Sequence, residues 1–303
     1  MEIKKQNPLL SICIPTYNRA DVLDETLKSL FLNPEFDSEK VEVIVSDNCS
    51  TDNTIEIIAK YPLVRYYRND INVIDKNFNI VLSYARGDYI RLFNDSLFFK
   101  TDALKFMLEK IKLHLDTDVN LFFYNNMFIN TNCVKEVRTI GGFIKEVSFL
   151  NTWIANFGVW RKDFEKIKDR DRYSELQFVQ VDWTFRLVVN GIHSLVYFND
   201  FFETASLNGK GGYNVFDTFI NKYLFIVEQQ KLSFVIYKIE KYRLFRYFVY
   251  QWLLNLFVKD KKKYSFDTKG VSLVILKKYW YEPYIYPLLL LFWIKKTVKL
   301  KNK

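Results

Sequence analysis

A chain of 303 residues with 49% hydrophobic content and a net charge of +9 has enough apolar material for a sizeable core, which excludes an extended disordered protein. Its three cysteines, Cys13, Cys49 and Cys133, are an odd number that does not suit a disulfide framework, and they point to buried thiols in a reducing compartment. The opening residues lead directly into an apolar segment without the shape of a signal peptide, so the expected location is the cytoplasm.

The first predicted strand runs through Leu9-Leu10-Ser11-Ile12-Cys13-Ile14 and stops at Pro15-Thr16-Tyr17-Asn18-Arg19. Leu23, Leu27, Leu30 and Phe31 then recur at helical spacing, and Asn33-Pro34 ends that helix. A second strand, Val41-Glu42-Val43-Ile44-Val45, stops at Ser46-Asp47-Asn48-Cys49-Ser50-Thr51-Asp52, with Asp52 placed to cap a short helix from Asn53 to Lys60. Two strand-to-helix units in succession predict parallel strands, and the carboxyl edge of such a sheet is where ligands bind. Leu63 to Tyr67 reads as a third strand and Asn72 to Ala85 as a helix capped by Gly87. A fourth strand, Asp88 to Phe93, stops at Asn94-Asp95-Ser96, and helix resumes from Asp102 to Ile111. Val119 to Tyr124 and Val134 to Ile140 are predicted strands around a polar turn at Asn130-Thr131-Asn132. Val181 to Asn190 is a predicted helix ended by Gly191, with a strand from His193 to Phe198 after it.

The pairing of Pro-Thr-Tyr-Asn-Arg with a second strand ending in Ser-Asp-Asn-x-Ser-Thr-Asp resembles the opening of the family 2 glycosyltransferases, enzymes of the GT-A fold that use nucleotide sugars. The resemblance implies an α/β domain with a mostly parallel, Rossmann-like sheet flanked by helices over residues 1–215, followed by a helical, basic and aromatic extension over 216–303. It implies that Pro15, Thr16 and Tyr17 wall the nucleotide pocket and that Asp47 contacts uracil. Where the family usually carries Asp-x-Asp for Mg²⁺ or Mn²⁺, this chain has Asn94-Asp95-Ser96, with Asp95 the one carboxylate and Asn94 a weaker neutral donor. Three readings stay open there: a cation held by Asp95, a metal-independent enzyme relying on basic residues, or lost activity. Asp182 matches the position of the family's catalytic base, with Val181 in place of the usual acidic neighbour. The Gly-rich stretch Asn208-Gly209-Lys210-Gly211-Gly212-Tyr213-Asn214 could cover a diphosphate, its glycines allowing close backbone approach and Lys210 adding charge.

Other chemistries find little support. His114 and His193 have no partners at metal spacing, there is no Gly-x-Ser-x-Gly, and the first turn is not Gly-x-Gly-x-x-Gly. Charge is concentrated late: after residue 220 there are eighteen Lys or Arg against five Asp or Glu. Tyr242 to Lys259 reads as one largely apolar helix, and Tyr279 to Ile294 as an aromatic stretch flanked by Lys277-Lys278 and Lys295-Lys296. Its uninterrupted part is shorter than the about 20 residues a membrane span needs, so peripheral contact with an anionic leaflet is the expectation, nucleic acid being a distant rival. The expectation is an inverting transferase on the inner face of the membrane. It would move a sugar from a nucleotide sugar, a UDP-sugar first, to a lipid-linked glycan acceptor in making O-antigen, capsule or lipooligosaccharide. Its rival is a non-catalytic glycan- or nucleotide-sugar-binding protein on the same fold.

Overall fold

Leu10, Ile12 and Ile14 alternate with Ser11 and Cys13 along β1 (Leu10–Thr16), and all five side chains are buried. That is what a central strand covered on both faces requires. A computed structural model describes residues 7–126, 132–191, 193–205, 210–259 and 264–301. They form two compact units: Met1–Ile140 with Leu150–Ala205, and Gly141–Phe149 with Ser206–Lys303.

In the first unit, β1 is followed by α1 (Ala20–Phe31), β2 (Val41–Asp47), α2 (Thr54–Ile58), β3 (Val64–Arg68), α3 (Lys76–Ser83) and β4 (Tyr89–Leu92). Then come β5 (Leu97–Phe99), α4 (Ala103–Leu113), β6 (Val119–Asn125) and β7 (Cys133–Val137); α5 (Ile140–Val147) leads into the second unit. The first unit resumes with β8 (Gly158–Trp160), α6 (Arg161–Lys166), α7 (Val179–Asn190), β9 (His193–Asn199) and β10 (Phe202–Thr204). The main sheet has the order β3-β2-β1-β4-β8, parallel except for β8. A second sheet, β6-β9-β7, joins the same core, where Tyr89 Oη donates to Leu121 O at 2.8 Å and Trp160 Nε1 to Val119 O at 2.7 Å. The mostly parallel α/β architecture expected from the sequence is therefore present.

Three local expectations are corrected. Helix α3 starts at Lys76 rather than near Asn72, because Asn48 and Asn72 tie residues 72–74 into a loop: Asn48 Oδ1 accepts from the Val73 amide and Asn72 Oδ1 from that of Ile74. Gly87 is no helix cap; α3 ends in right-handed backbone at Tyr84, and a Cβ on Gly87 would sit 2.5 Å from Ser11 Oγ and 2.8 Å from its amide. Close strand contact, not φ, demands glycine there. Asp52 holds the starts of two helices rather than one, its Oδ1 accepting from the Thr54 amide and its Oδ2 from the Ala20 amide at 2.9 Å. The expected turn at Asn130-Thr131-Asn132 lies largely outside the described residues.

The second unit contains β11 (Lys210–Gly211), α8 (Val215–Asp217), α9 (Leu224–Glu228), α10 (Phe234–Arg243), α11 (Tyr250–Phe257), β12 (Tyr264–Ser265), α12 (Val271–Tyr279) and α13 (Ile285–Lys301). Helices α8 and α9 are joined by a π-helical turn, Thr218–Tyr223, and α10 and α11 by another, Leu244–Val249. The expected helix from Tyr242 to Lys259 is thus helical but changes its winding midway. The aromatic stretch from Tyr279 is broken, with α12 ending at Tyr279 and α13 beginning at Ile285, two residues before Pro287. Glu240 and Lys241 are buried beneath these helices: Tyr223 donates to Glu240 at 2.8 Å, and Lys241 Nζ reaches Glu282, Tyr281 Oη and Lys278 O within 2.9 Å.

Candidate active site

The carboxyl ends of β1, β2 and β4 surround a cleft of about 290 Å³. Pro15, Thr16, Tyr17 and Arg19 line it after β1, Asn48 after β2 and Asp95 after β4, and Asn72, Ile74, Asp75, Asn77 and Phe78 line it from the loop before α3 and the first turn of α3. Four residues expected from the sequence, Pro15, Thr16, Tyr17 and Asp95, are brought together here.

Asp95 is pinned from several sides. Thr16 Oγ1 donates to Oδ2 and Arg19 Nη1 to Oδ1, both at 3.0 Å, while Thr26 Oγ1 donates to the backbone oxygen at 2.9 Å. Burial pushes this carboxyl above the ordinary aspartate range, opposed by the positive charge of Arg19. The Asp95 side chain is 6% exposed and that of Arg19 47%, so the guanidinium faces outward with the carboxylate behind it.

Mg²⁺ prefers six oxygens in a near-ideal octahedron. The β4 turn offers one carboxylate with both oxygens already engaged, and the Oδ1 of Asn94, buried and without a hydrogen-bond partner among the described residues. Among the described residues, no three His, Cys, Asp or Glu side chains converge on one point. A divalent ion at Asp95 would compete with Arg19 Nη1 and Thr16 Oγ1 for the same two carboxylate oxygens, and the guanidinium beside it would repel it. The residues as arranged do not fit a divalent cation.

Asp47 lies beneath the cleft instead of in its lining. Its side chain has no exposed surface; Oδ1 accepts from the Ser50 amide at 2.8 Å, and Oδ2 from Tyr66 Oη at 2.7 Å and Arg68 Nη1 at 2.9 Å. Burial and this carboxylate push the Tyr66 hydroxyl up to about 12. The residue that reaches the cleft from this turn is Asn48, whose Nδ2 donates to Asn72 Oδ1 at 2.7 Å. Asn77 Oδ1 accepts from Ser46 Oγ and Asn69 Nδ2, so asparagines link the end of β2 to the start of α3. Ile74 in this loop has φ of 52°, a strained conformation for a β-branched residue. Sequence reasoning missed Arg19, Asn48, Asn72, Ile74, Asp75, Asn77 and Phe78 as cleft residues. The density of asparagine between positions 69 and 79 was the available signal.

Asp182 stands on the first turn of α7, fully buried and between two arginines. Arg172 grips it through two nitrogens, Nε at 3.1 Å and Nη2, and Arg186 Nη2 lies 2.7 Å from Oδ2. The carboxylate raises the Arg172 guanidinium, whereas burial and the second guanidinium lower that of Arg186. Two cations therefore compete for one anion. On the same first turn, two residues earlier, Gln180 is buried, with Nε2 donating to Thr152 O at 2.8 Å and Oε1 without a hydrogen-bond partner among the described residues. Lys210 and Gly211 belong to the second unit, where they pair in parallel with Tyr264 and Ser265. A Cβ on Gly211 would meet the Ser265 backbone at 2.4 Å, so close strand approach accounts for that glycine. Asn208 and Gly209 lie outside the described residues.

Residues 11–183 match the family model described as glycosyl transferase family 2. The chain belongs to that family. This family 2 chain is 37% identical over 122 residues to the abequosyltransferase RfbV of Salmonella typhimurium, a match covering 38% of the chain and 34% of RfbV. It is 30% identical over 106 residues to the poly(ribitol-phosphate) β-N-acetylglucosaminyltransferase TarS of Staphylococcus aureus, covering 31% and 17% respectively. The matches thus span 34% and 17% of these relatives' own lengths. The crystal structure of TarS 1–349 superposes with a TM-score of 0.57 at 18% identity, covering 96% of this chain and 88% of that one. The mannosyltransferase PcManGT from Pyrobaculum calidifontis, in complex with GDP-Man and Mn²⁺, gives 0.56 at 14% identity, covering 97% and 87%. The family 2 domain therefore has the GT-A fold, with helices following it.

Proposed function

We propose that this chain is an inverting glycosyltransferase that binds a nucleoside diphosphate sugar in the β1–β2–β4 cleft. The observation that carries the reading is the convergence of Thr16, Tyr17, Arg19, Asn48 and Asp95 at the carboxyl edge of a parallel sheet. In the reaction, the acceptor hydroxyl oxygen bonds to the anomeric carbon and the bond to the diphosphate oxygen breaks. The electron pair leaves with the nucleoside diphosphate, and the hydroxyl proton passes to a base or to water. Pro15, Tyr17 and Phe78 offer apolar surface for a nucleoside, and Asn48 and Asn72 offer amides for its polar edge. A UDP-sugar is the first donor class to test, as a structure of TarS 1–349 holds UDP.

The acceptor we propose is a cell-surface glycan, lipid-linked and presented at the inner face of the membrane. The names abequosyltransferase and poly(ribitol-phosphate) N-acetylglucosaminyltransferase support a polysaccharide setting. Membrane contact is assigned to α13, whose Tyr286, Leu290, Leu291, Trp293 and Ile294 are exposed beside Lys295. Among the described residues, no helix is long and apolar enough to cross a membrane. A surface-lying helix with aromatic and lysine side chains suits the interface instead.

Two sequence expectations change weight in this reading. Asp182 could accept a proton only after shedding Arg172 and Arg186, and Asp95 could ligate Mg²⁺ or Mn²⁺ only after Arg19 leaves it. The engaged state of both carboxylates favours a second reading, a protein that binds the donor without turning it over. Calorimetric titration with UDP and GDP, followed by a UDP-sugar turnover assay, separates these. Binding with turnover supports the transferase, binding without turnover the second reading, and absence of nucleotide binding ends both.

A further inference from the structure

We infer that Arg19 is the built-in cation of the donor site, meeting the leaving diphosphate where a divalent ion would otherwise be needed. The inference rests on the nucleotide-sugar reading of the cleft and deepens it. Arg19 lines the cleft and closes the Pro-Thr-Tyr-Asn-Arg stretch directly before α1, a stretch whose first three residues alone were assigned to the nucleotide pocket from the sequence.

Three observations carry it. First, Asp95, the one carboxylate of the β4 turn, binds the guanidinium through a single nitrogen, Nη1, leaving the other N–H donors of a five-donor group for a ligand. Second, Thr16 holds the far oxygen of Asp95 and Thr26 its backbone oxygen, so the anchor of Arg19 is itself fixed. Third, the Asp95 carboxylate is screened while the guanidinium is nearly half exposed, so of this pair it is the cation that a ligand in the cleft can reach. A guanidinium presents parallel N–H groups that match phosphate oxygens, and it needs no ligand shell beyond the one seen here. As the bond from the anomeric carbon to the diphosphate breaks, negative charge grows on the leaving oxygen, and Arg19 neutralises it. Asp95 is then a positioning residue that keeps the guanidinium at the cleft rather than in solvent.

The test is calorimetry of UMP and UDP against the full chain, with EDTA, Mg²⁺ or Mn²⁺, for the native protein, Arg19→Lys and Arg19→Ala. Thermal melts establish that each variant is folded. Native UDP affinity should change by less than about twofold between EDTA and Mg²⁺, because the site already holds its cation. Arg19→Ala should weaken UDP about tenfold or more while changing UMP only slightly, as expected for a charge-assisted hydrogen bond to the second phosphate. Arg19→Lys should recover part of that loss. Removing the guanidinium also frees Asp95, so UDP binding by Arg19→Ala should become cation-responsive. If native UDP binding requires Mg²⁺ or Mn²⁺ and Arg19→Ala leaves it unchanged, the inference is overturned and the nucleotide-sugar reading stands. If neither nucleotide binds the native protein, that reading fails and the inference with it.

Discussion

Asp47 and Asp182 have no exposed surface, and arginines hold both. Each was a candidate for chemistry on sequence grounds, and each is a counter-ion in the folded chain. Removing one partner of a buried pair costs roughly 3–5 kcal/mol, because the remaining charge is stranded. Arg172 is about one-third exposed, which lowers the expected cost. Asp182→Asn should therefore destabilise the protein by about 2–3 kcal/mol in a denaturant melt, with UDP affinity little changed. A fully stable Asp182→Asn variant that has lost turnover alone would restore the catalytic-base role. The partner was readable, since Asp182 and Arg186 are four residues apart on a helix. Arg172, from the preceding loop, was not, because nothing local brings residue 172 back to α7. The same limit explains Arg19 and Asp95, which are 76 positions apart in sequence and meet only when β1 and β4 lie side by side.

At the scale of elements, strand and helix order was legible because apolar periodicity reports burial directly. Their ends were less so, because side-chain hydrogen bonds set them. Asp52 shows this. Burial raises its pKa, but the Thr54 hydroxyl and the amides of Ala20 and Thr54 outweigh it, so the carboxyl lies below the ordinary aspartate value. A depressed folded-state pKa means stability that is present above the unfolded value near 4 and lost as pH falls through the folded one. Asp52→Ala should cost about 1 kcal/mol at pH 7, a difference that shrinks in melts below about pH 4. Arg91 on β4 gives the opposite case. It is fully buried, donates to Ala155 O and Met107 Sδ and lies 4.8 Å from the Phe202 ring, with no carboxylate among these contacts. Burial lowers its guanidinium to about 10, so the charge opposes folding at neutral pH. Arg91→Met, an apolar side chain of similar length, should leave stability unchanged or raise it by up to about 4 kcal/mol, read as an unchanged or higher midpoint in a denaturant melt.

On the scale of the whole molecule, the sequence predicts a boundary after residue 215, whereas the first compact unit ends at Ala205. It did not foresee that Gly141–Phe149 joins the later unit, where Phe149 packs on Phe248 and Lys145 O accepts from Arg243. A segment that leaves one core and returns has no signature in composition. The charge division was plain from counting, and its consequence belongs to α13. Vesicles containing phosphatidylserine should sediment the full chain, and neutral vesicles should do so less. Replacing Leu290 and Trp293 by Ser should abolish sedimentation, whereas Lys295→Glu should weaken it in a salt-dependent way. Equal sedimentation by both vesicle types, unaffected by these changes, would remove membrane contact from the account. Lys296 is a poorer probe, since its ammonium lies over the rings of Phe257 and Trp293.

The π-helical turn Leu244–Val249 has a consequence for how this unit can change over time. Such a turn is what an α-helix becomes when one extra residue is accommodated without breaking the helix. Every residue of α11 is therefore rotated by about 100° from the face it would occupy on a continuous α-helix. That rotation turns Leu253, Leu254 and Leu256 toward the interior. Deleting one residue from the turn would leave the composition nearly intact and point a different stripe of α11 inward. The unit should consequently tolerate many substitutions along this helix while being intolerant of any change in its length.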